Sequence, residues 1–383
     1  MSVALPLLFW SSVAGLIYIY AGYPLAVRWL SRRRGSVIRK SCEPRSVSVV
    51  IAACNEAASI VRKLDNLLSL DHADNIREIF VGSDGSTDGT NALVKFYGDP
   101  RVQLVPFAKR RGKPAVLNDL VPRCTGEIVL FADARQQFDR RCLVELVANF
   151  DDPSVGVVSG ELVLRATSSA TTASEGVGLY WKYEKLIRKA ESGFRGVPGA
   201  TGACYAIRRE LFQPIAETTI LDDVAIPMGI VTQGFRCIFE PLALAFDDPS
   251  QSAQQEAIRK RRTIAGAAQL VRLYPQWLRP SGNPIWWEYV SHKLLRLSSP
   301  LLLIAAFATN AALTGQPLYR VALSVQLACY TAAACGALYQ RRGRRSRLFG
   351  PFLMFVTLNL TTLAALWDAL RSRYHVAWRK AAT

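Results

Sequence analysis

Histidine is scarce, with 3 residues in a chain of 383, and the 8 cysteines form no CxxC pair and stand near no histidine cluster. A zinc-finger pattern and a disulfide framework are thereby excluded. Cys54, Cys124 and Cys204 sit in apolar or glycine-rich surroundings, which suits a reducing cytoplasm. Repeats and low-complexity tracts are absent. Charge is thin as well: Asp, Glu, Lys and Arg make up 20% of the chain against 50% hydrophobic residues. The segment Met1–Val27 has no charged side chain at all. At 1.5 Å per residue it is long enough to cross a hydrocarbon core of roughly 30 Å. It lacks a basic leading region and is longer than a signal-peptide core, so an uncleaved transmembrane helix over 1–27 is expected.

Three further apolar runs lie between 297 and 370: Leu297–Leu313, Val321–Tyr339 and Leu348–Leu370. The first two are short and suit a thin or distorted bilayer. Before them, PIWWEYVSHKLLRL (284–297) mixes Trp, Tyr, His, Lys and Arg with leucine, the composition of an interfacial helix. The net charge of +17 is no sign of nucleic-acid binding, because much of it flanks apolar runs: Arg28, Arg32, Arg33, Arg34, Arg39 and Lys40, then RRGRRSR at 341–347. The positive-inside rule assigns both segments, and the middle of the chain between them, to the cytoplasm. Four spans then leave the tail with Arg371, Arg373, Arg379 and Lys380 outside, against the same rule. The 341–347 loop is taken as the stronger signal.

From 45 to 266 strand and helix patterns alternate. VSVVIAA (47–53) is a β-branched run of the kind buried on both faces, and Ile60, Leu64, Leu67 and Leu68 form one helical stripe. IREIFVG (76–82), a helix over 87–97, VQLV (102–105), a helix over 114–121 and EIVLFA (127–132) follow. This order predicts an α/β domain with a mostly parallel sheet, which binds ligands beyond the carboxyl ends of its strands. Three acids stand at those ends: Glu56 in AACNE, Asp84 in GSDGSTDGT and Asp133 in FADAR.

Each motif has a structural and a chemical reading. GSDGSTDGT makes a tight turn in which Ser86 or Thr87 caps the next helix, while Asp84 in the crevice is suited to a nucleobase N–H or a ribose hydroxyl. Gly112 between Arg111 and Lys113 is a solvated basic turn or a diphosphate site at a helix start. Asp222 and Asp223 are helix caps or working carboxylates. VPGATGACYAIRRELF (197–212) reads as a small-residue loop, an apolar stretch and a basic helix.

AACNE, GSDGSTDGT, RRGKPAVLN, TGEIVLFADA and LDD, in that order, resemble the motifs of glycosyltransferase family 2, the inverting transferases of the GT-A nucleotide-diphospho-sugar fold. The resemblance runs from about Val47 to Gly266. The flanking spans resemble the exopolysaccharide, cellulose and hyaluronan synthase branch. It implies that Asp84 holds the uracil of a UDP-sugar and that Glu56 lines the base pocket, while Lys113 beside Gly112 is the candidate for the diphosphate. Asp133 would stand beside the diphosphate in the family's DxD motif, where a divalent cation, Mg²⁺ or Mn²⁺, is held. Here that motif is DAR, and Arg135 either leaves metal binding to Asp133 or takes over part of the charge neutralisation. If the chain stays extended, both side chains leave on one side.

The resemblance further implies that Asp223 is the catalytic base, with Asp222 positioning it or capping the helix. Gly199–Ala203 (GATGA) would face the acceptor sugar. Arg262 stands at the arginine of the family's QxxRW segment and would meet the departing diphosphate, while Thr263 replaces the tryptophan of polymerising members. The expectation is a membrane-bound inverting glycosyltransferase using a nucleotide-sugar donor and a lipid-linked or growing glycan acceptor, in contact with membrane lipids and a polysaccharide secretion complex. A polyprenyl-phosphate glycosyltransferase and a non-catalytic nucleotide-sugar-binding scaffold are the alternatives.

Overall fold

The computed structural model describes residues 3–41, 43–165, 172–248, 253–344 and 346–371. Ser252 and the tail residues Arg373, Arg379 and Lys380 lie outside them. The strands are β1 (Val47–Ala53), β2 (Ile76–Asp84), β3 (Val102–Phe107), β4 (Ile128–Ala132), β5 (Gln137–Phe138), β6 (Val155–Leu164), β7 (Cys204–Arg208) and β8 (Arg236–Asp247). They form one 8-stranded sheet in the order β3-β2-β1-β4-β7-β6-β8-β5.

Alternation explains the layers. Val47, Val49 and Ile51 of β1 pack on one side with Ile60, Leu64 and Leu67 of the helix Ile60–Leu68. Val50 packs on the other with Val116, Leu117 and Leu120 of the helix Lys113–Leu120. A strand covered on both faces needs a continuous apolar run, which is what VSVVIAA supplies.

The sheet is mixed, more so than the sequence predicts. β3, β2, β1 and β4 are parallel, but β7 enters antiparallel between β4 and β6. β7 and the turn Arg209–Leu211 occupy the segment read as an apolar stretch and a basic helix. Tyr205, stacked on Phe131 of β4 with ring centroids 4.5 Å apart, fills the sheet instead.

Among the described residues, four helices are long and apolar enough to cross a membrane: Ala4–Arg34, Trp286–Ala312, Pro317–Arg341 and Gly350–Leu370. Trp286–Ala312 runs unbroken for 27 residues, so the segment read as a separate interfacial helix and the run after it are one helix. With 27 and 25 residues, the two spans read as short meet the roughly 20 residues that a bilayer needs.

Candidate active site

Parallel pairing fixes where the chemistry gathers. Ala53 pairs with Ser83 and Ile51 with Ala132, so β1, β2 and β4 release the chain at one edge of the sheet. Antiparallel β7 starts there too, Cys204 pairing with Ala132, and this brings the GATGA loop beside Asp133.

The loops after β1 and β2 are laced together. Asn55 adopts a left-handed φ of 55°, which asparagine tolerates. Its N–H donates to Ser86 Oγ at 3.1 Å, and its Oδ1 accepts the Thr87 N–H at 2.8 Å. Ser86 and Thr87 therefore serve the neighbouring loop; Gly89 is the N-cap of the helix Thr90–Lys95, and Asp88 Oδ1, one residue before it, accepts the Thr90 N–H at 3.0 Å. The Glu56 N–H donates to Thr90 Oγ1 at 2.9 Å, and its carboxylate accepts the Ser59 hydroxyl at 2.7 Å.

Asp84 is buried. Its Oδ1 accepts the Arg111 N–H at 2.7 Å and its Oδ2 the Gly112 N–H at 2.8 Å. It thus fastens the loop that precedes Lys113, and each oxygen retains a second lone pair for a ligand. Gly85 permits the approach: its φ is 64°, and a Cβ there would stand 2.8 Å from the Arg110 nitrogen.

Lys113 is the hub of the crevice. Its Nζ lies 3.0 Å from Asp133 Oδ1 and 3.2 Å from Asp222 Oδ2. Burial works to lower its pKa, but the carboxylates of Asp133 and Asp222 reverse that and hold the ammonium above its ordinary value. Asp222 and Asp223 open the helix Asp222–Val231. Burial, reinforced by Asp222, pushes the Asp223 carboxyl up to about 6, while Lys113 and Lys293 oppose the rise. The Asp223 carbonyl accepts the Ala200 N–H at 2.7 Å. A Cβ on Gly202 would stand 2.8 Å from Asp223 Oδ2, so the small residues of GATGA make room for that carboxylate. Ser159 and Arg188 brace this loop, with Arg188 donating to Thr201 Oγ1 at 2.9 Å and to Ser159 Oγ at 2.7 Å.

Arg262 falls within electrostatic reach of the cluster: burial lowers its pKa, and Asp222, Asp223 and Asp133 counter it. The chain bends at Ala134–Arg135 and the Arg135 side chain is exposed, so the extended geometry that would align it with Asp133 is not formed.

Among the described residues no group of three or more His, Cys, Asp and Glu side chains is arranged to hold a metal ion. Asp133 Oδ1 receives Lys113, which leaves Oδ2 to contribute to a divalent ion. One carboxylate completed by substrate phosphates is a common donor set for Mg²⁺. The crevice therefore fits an ion shared with a diphosphate and not a protein-only cage.

Asp223 also lines a cavity of about 480 Å³ between the soluble domain and the apolar helices, with Tyr20, Thr263, Lys293, Phe355 and Leu358 among its walls. Beside it lies a polar cluster that sequence reading missed. Glu184 receives Arg296 and lies 3.0 Å from His292 Nε2, while Glu191 accepts the Tyr23 hydroxyl at 2.5 Å and lies 2.7 Å from His292 Nδ1. Burial raises the Glu184 carboxyl, but Arg296 and His292 overcome it and hold it well below its ordinary value. The available signal was His292, Lys293 and Arg296 inside an apolar run, where ionisable groups mark function more often than chance.

Residues 48–215 match the model of the family described as "Glycosyl transferase family 2". A poly-beta-1,6-N-acetyl-D-glucosamine synthase of Staphylococcus aureus (strain COL) is 23% identical over 239 residues, 61% of this chain and 56% of that protein, so the chain spans little more than half of this relative's length. An N-acetylglucosaminyltransferase of Rhizobium sp. (strain N33) is 25% identical over 342 residues, 84% of this chain and 73% of that protein. Among solved structures, a mannosyltransferase from Pyrobaculum calidifontis, in complex with GDP-Man and Mn²⁺, superposes with a TM-score of 0.72 at 25% identity, covering 96% of this chain and 100% of that one. The fold is GT-A, and residues 48–215, whose motifs gather on one edge of that sheet, are similar to glycosyltransferase family 2.

Proposed function

We propose that this protein is a membrane-bound inverting glycosyltransferase that moves a sugar from a nucleoside-diphosphate donor to a lipid-linked or growing glycan. The observation that carries this reading is Asp223, a carboxylate raised to about 6 that stands in electrostatic contact with Lys113 and lines the cavity facing the apolar helices.

The donor's nucleoside lies in the laced loops around Glu56 and Asp84, and its diphosphate meets Lys113 and Arg262. Asp133 Oδ2 would hold a divalent cation together with the diphosphate, and that cation supplies charge neutralisation to the departing group. The acceptor hydroxyl attacks the anomeric carbon from the face opposite the nucleotide. A C–O bond forms to the acceptor, the bond to the diphosphate oxygen breaks with its electron pair leaving on the nucleoside diphosphate, and the hydroxyl proton passes to Asp223.

Uridine is the expected nucleoside. Guanosine is the second reading, favoured by the GDP-Man held in the mannosyltransferase of similar fold. The curated relatives named as N-acetylglucosamine enzymes support a sugar of that class and a role in cell-envelope or exopolysaccharide glycans. The catalytic domain faces the cytoplasm in this reading, where such donors are made and where the basic flanks at 28–40 and 341–347 belong. The test is release of nucleoside diphosphate by purified protein across UDP- and GDP-sugars, with membrane lipid extract as acceptor. Release from one donor only when extract is present supports transfer, and release from none contradicts it.

A further inference from the structure

The cavity beside Asp223 carries a lysine, Lys293, that among the described residues has neither an ion-pair nor a hydrogen-bond partner. The nearby acids act on it only through space: Glu184 bonds Arg296 and His292, and Glu191, through Oε1, bonds Tyr23 and His292. The neighbouring Arg188 is held by Thr201 and Ser159. Asp223 is the remaining carboxylate on the same cavity wall, and it forms no ion pair with Lys293 among the described residues. An ionisable group inside an apolar helix is costly, and it is retained where it meets a substrate or a counter-charge. Beyond Lys293 the walls are apolar, with Leu297, Met354, Phe355 and Leu358.

We propose that the acceptor is an amphipathic anion: its hydrocarbon part lies among Leu297, Met354, Phe355 and Leu358, its phosphate or carboxylate sits on Lys293, and its hydroxyl is presented to Asp223. This rests on the transferase reading and deepens it by naming the acceptor's class. Lys293 is then a specificity-determining residue. The anion it holds is separate from the attacking oxygen, because an acceptor reacting through an already ionised phosphate would leave Asp223 without a proton to take. Volume is consistent: about 480 Å³ lies within the range of ligand pockets, and it exceeds what a lone inorganic anion fills.

The test is binding to the full chain in phosphatidylcholine nanodiscs, with empty discs subtracted. Dodecyl phosphate, dodecanol and inorganic phosphate are the probes, and each is measured on the parent, Lys293→Met and Lys293→Arg. The expected result is that dodecyl phosphate binds the parent, that Lys293→Met weakens it by about tenfold or more, as for a lost charge-assisted hydrogen bond, and that Lys293→Arg restores most of it. Dodecanol should be indifferent to the substitution, and inorganic phosphate should bind far more weakly than dodecyl phosphate. Equal affinity of parent and Lys293→Met for dodecyl phosphate overturns the proposal, as does inorganic phosphate binding as tightly as the lipid. Nucleotide affinity measured in the same samples reports on folding of the variants and on the donor site. A protein that binds dodecyl phosphate through Lys293 yet transfers no sugar would sink the transferase reading and leave the anion site standing.

Discussion

Lys113 and Asp222 meet at 3.2 Å across the crevice, and the same ammonium lies 3.0 Å from Asp133. Three motifs distant in sequence are thereby tied at one point: the loop fastened by Asp84, the end of β4 and the start of the helix Asp222–Val231. Asp222 is only 7% exposed. Removing its partner leaves a buried carboxylate uncompensated, a loss of about 2–3 kcal/mol once the partial exposure of Lys113 is allowed for.

Lys113→Met should therefore lower the midpoint of thermal unfolding and weaken donor binding together. Adding Asp222→Asn to that variant should recover part of the stability, because the stranded charge is removed. Simple additivity of the two substitutions would show that the pair carries no coupling energy.

Gly202→Ala tests the contact that shapes the base. The added Cβ would stand 2.8 Å from Asp223 Oδ2 and 3.2 Å from its Cβ, so the carboxylate must move. Displacement of a catalytic group by about 1 Å costs on the order of 10²-fold in rate. Turnover should fall by about 10–100-fold with nucleotide affinity unchanged. Normal turnover would separate Asp223 from the chemistry.

The pH profile follows from the same carboxylate. A general base works ionised, and burial and Asp222 raise Asp223 to about 6. Turnover should be level above that value and fall as pH drops through it, tenfold per unit at the limit. Asp222→Asn removes a negative neighbour, so the acid limb should move to lower pH. A limb that stays in place would assign the titration to another group.

Much of this site can be read from the sequence because strand ends are simple objects. A β-branched run that stops at Asp84 or Asp133 locates an acid on the sheet edge whatever the rest of the chain does. β7 was not legible, since CYAIRREL reads equally as a strand or as the start of a helix, and only its pairing with β4 decides. The bond from the Thr90 N–H to Asp88 was hidden by Ser86 and Thr87, two better-known capping residues drawn instead to Asn55. Glu184, His292, Lys293 and Arg296 come together only when the helix 172–194 packs against the apolar helices, a meeting that no local pattern encodes.

Arg135 gives a separate test of the ion. It is exposed beyond a bend and not aligned with Asp133. Arg135→Asp restores the family's second acid and should increase the dependence of transfer on added Mg²⁺ or Mn²⁺. Arg135→Ala should leave donor affinity within about twofold of the parent, well short of the 1.5–3 kcal/mol of a charge-assisted hydrogen bond. A larger loss in Arg135→Ala would mean that the guanidinium reaches the diphosphate when donor binds.

The most direct test of the chemistry is transfer of radiolabelled sugar from the nucleotide donor into organic-soluble membrane lipid, measured for the parent and Asp223→Asn at pH 7.5 alongside nucleotide affinity. The expected result is label in the lipid fraction for the parent, a loss of about 10²–10⁴-fold in Asp223→Asn, and equal nucleotide affinity in both. Transfer at the parental rate by Asp223→Asn, or label that never enters lipid or glycan with any donor, would contradict it.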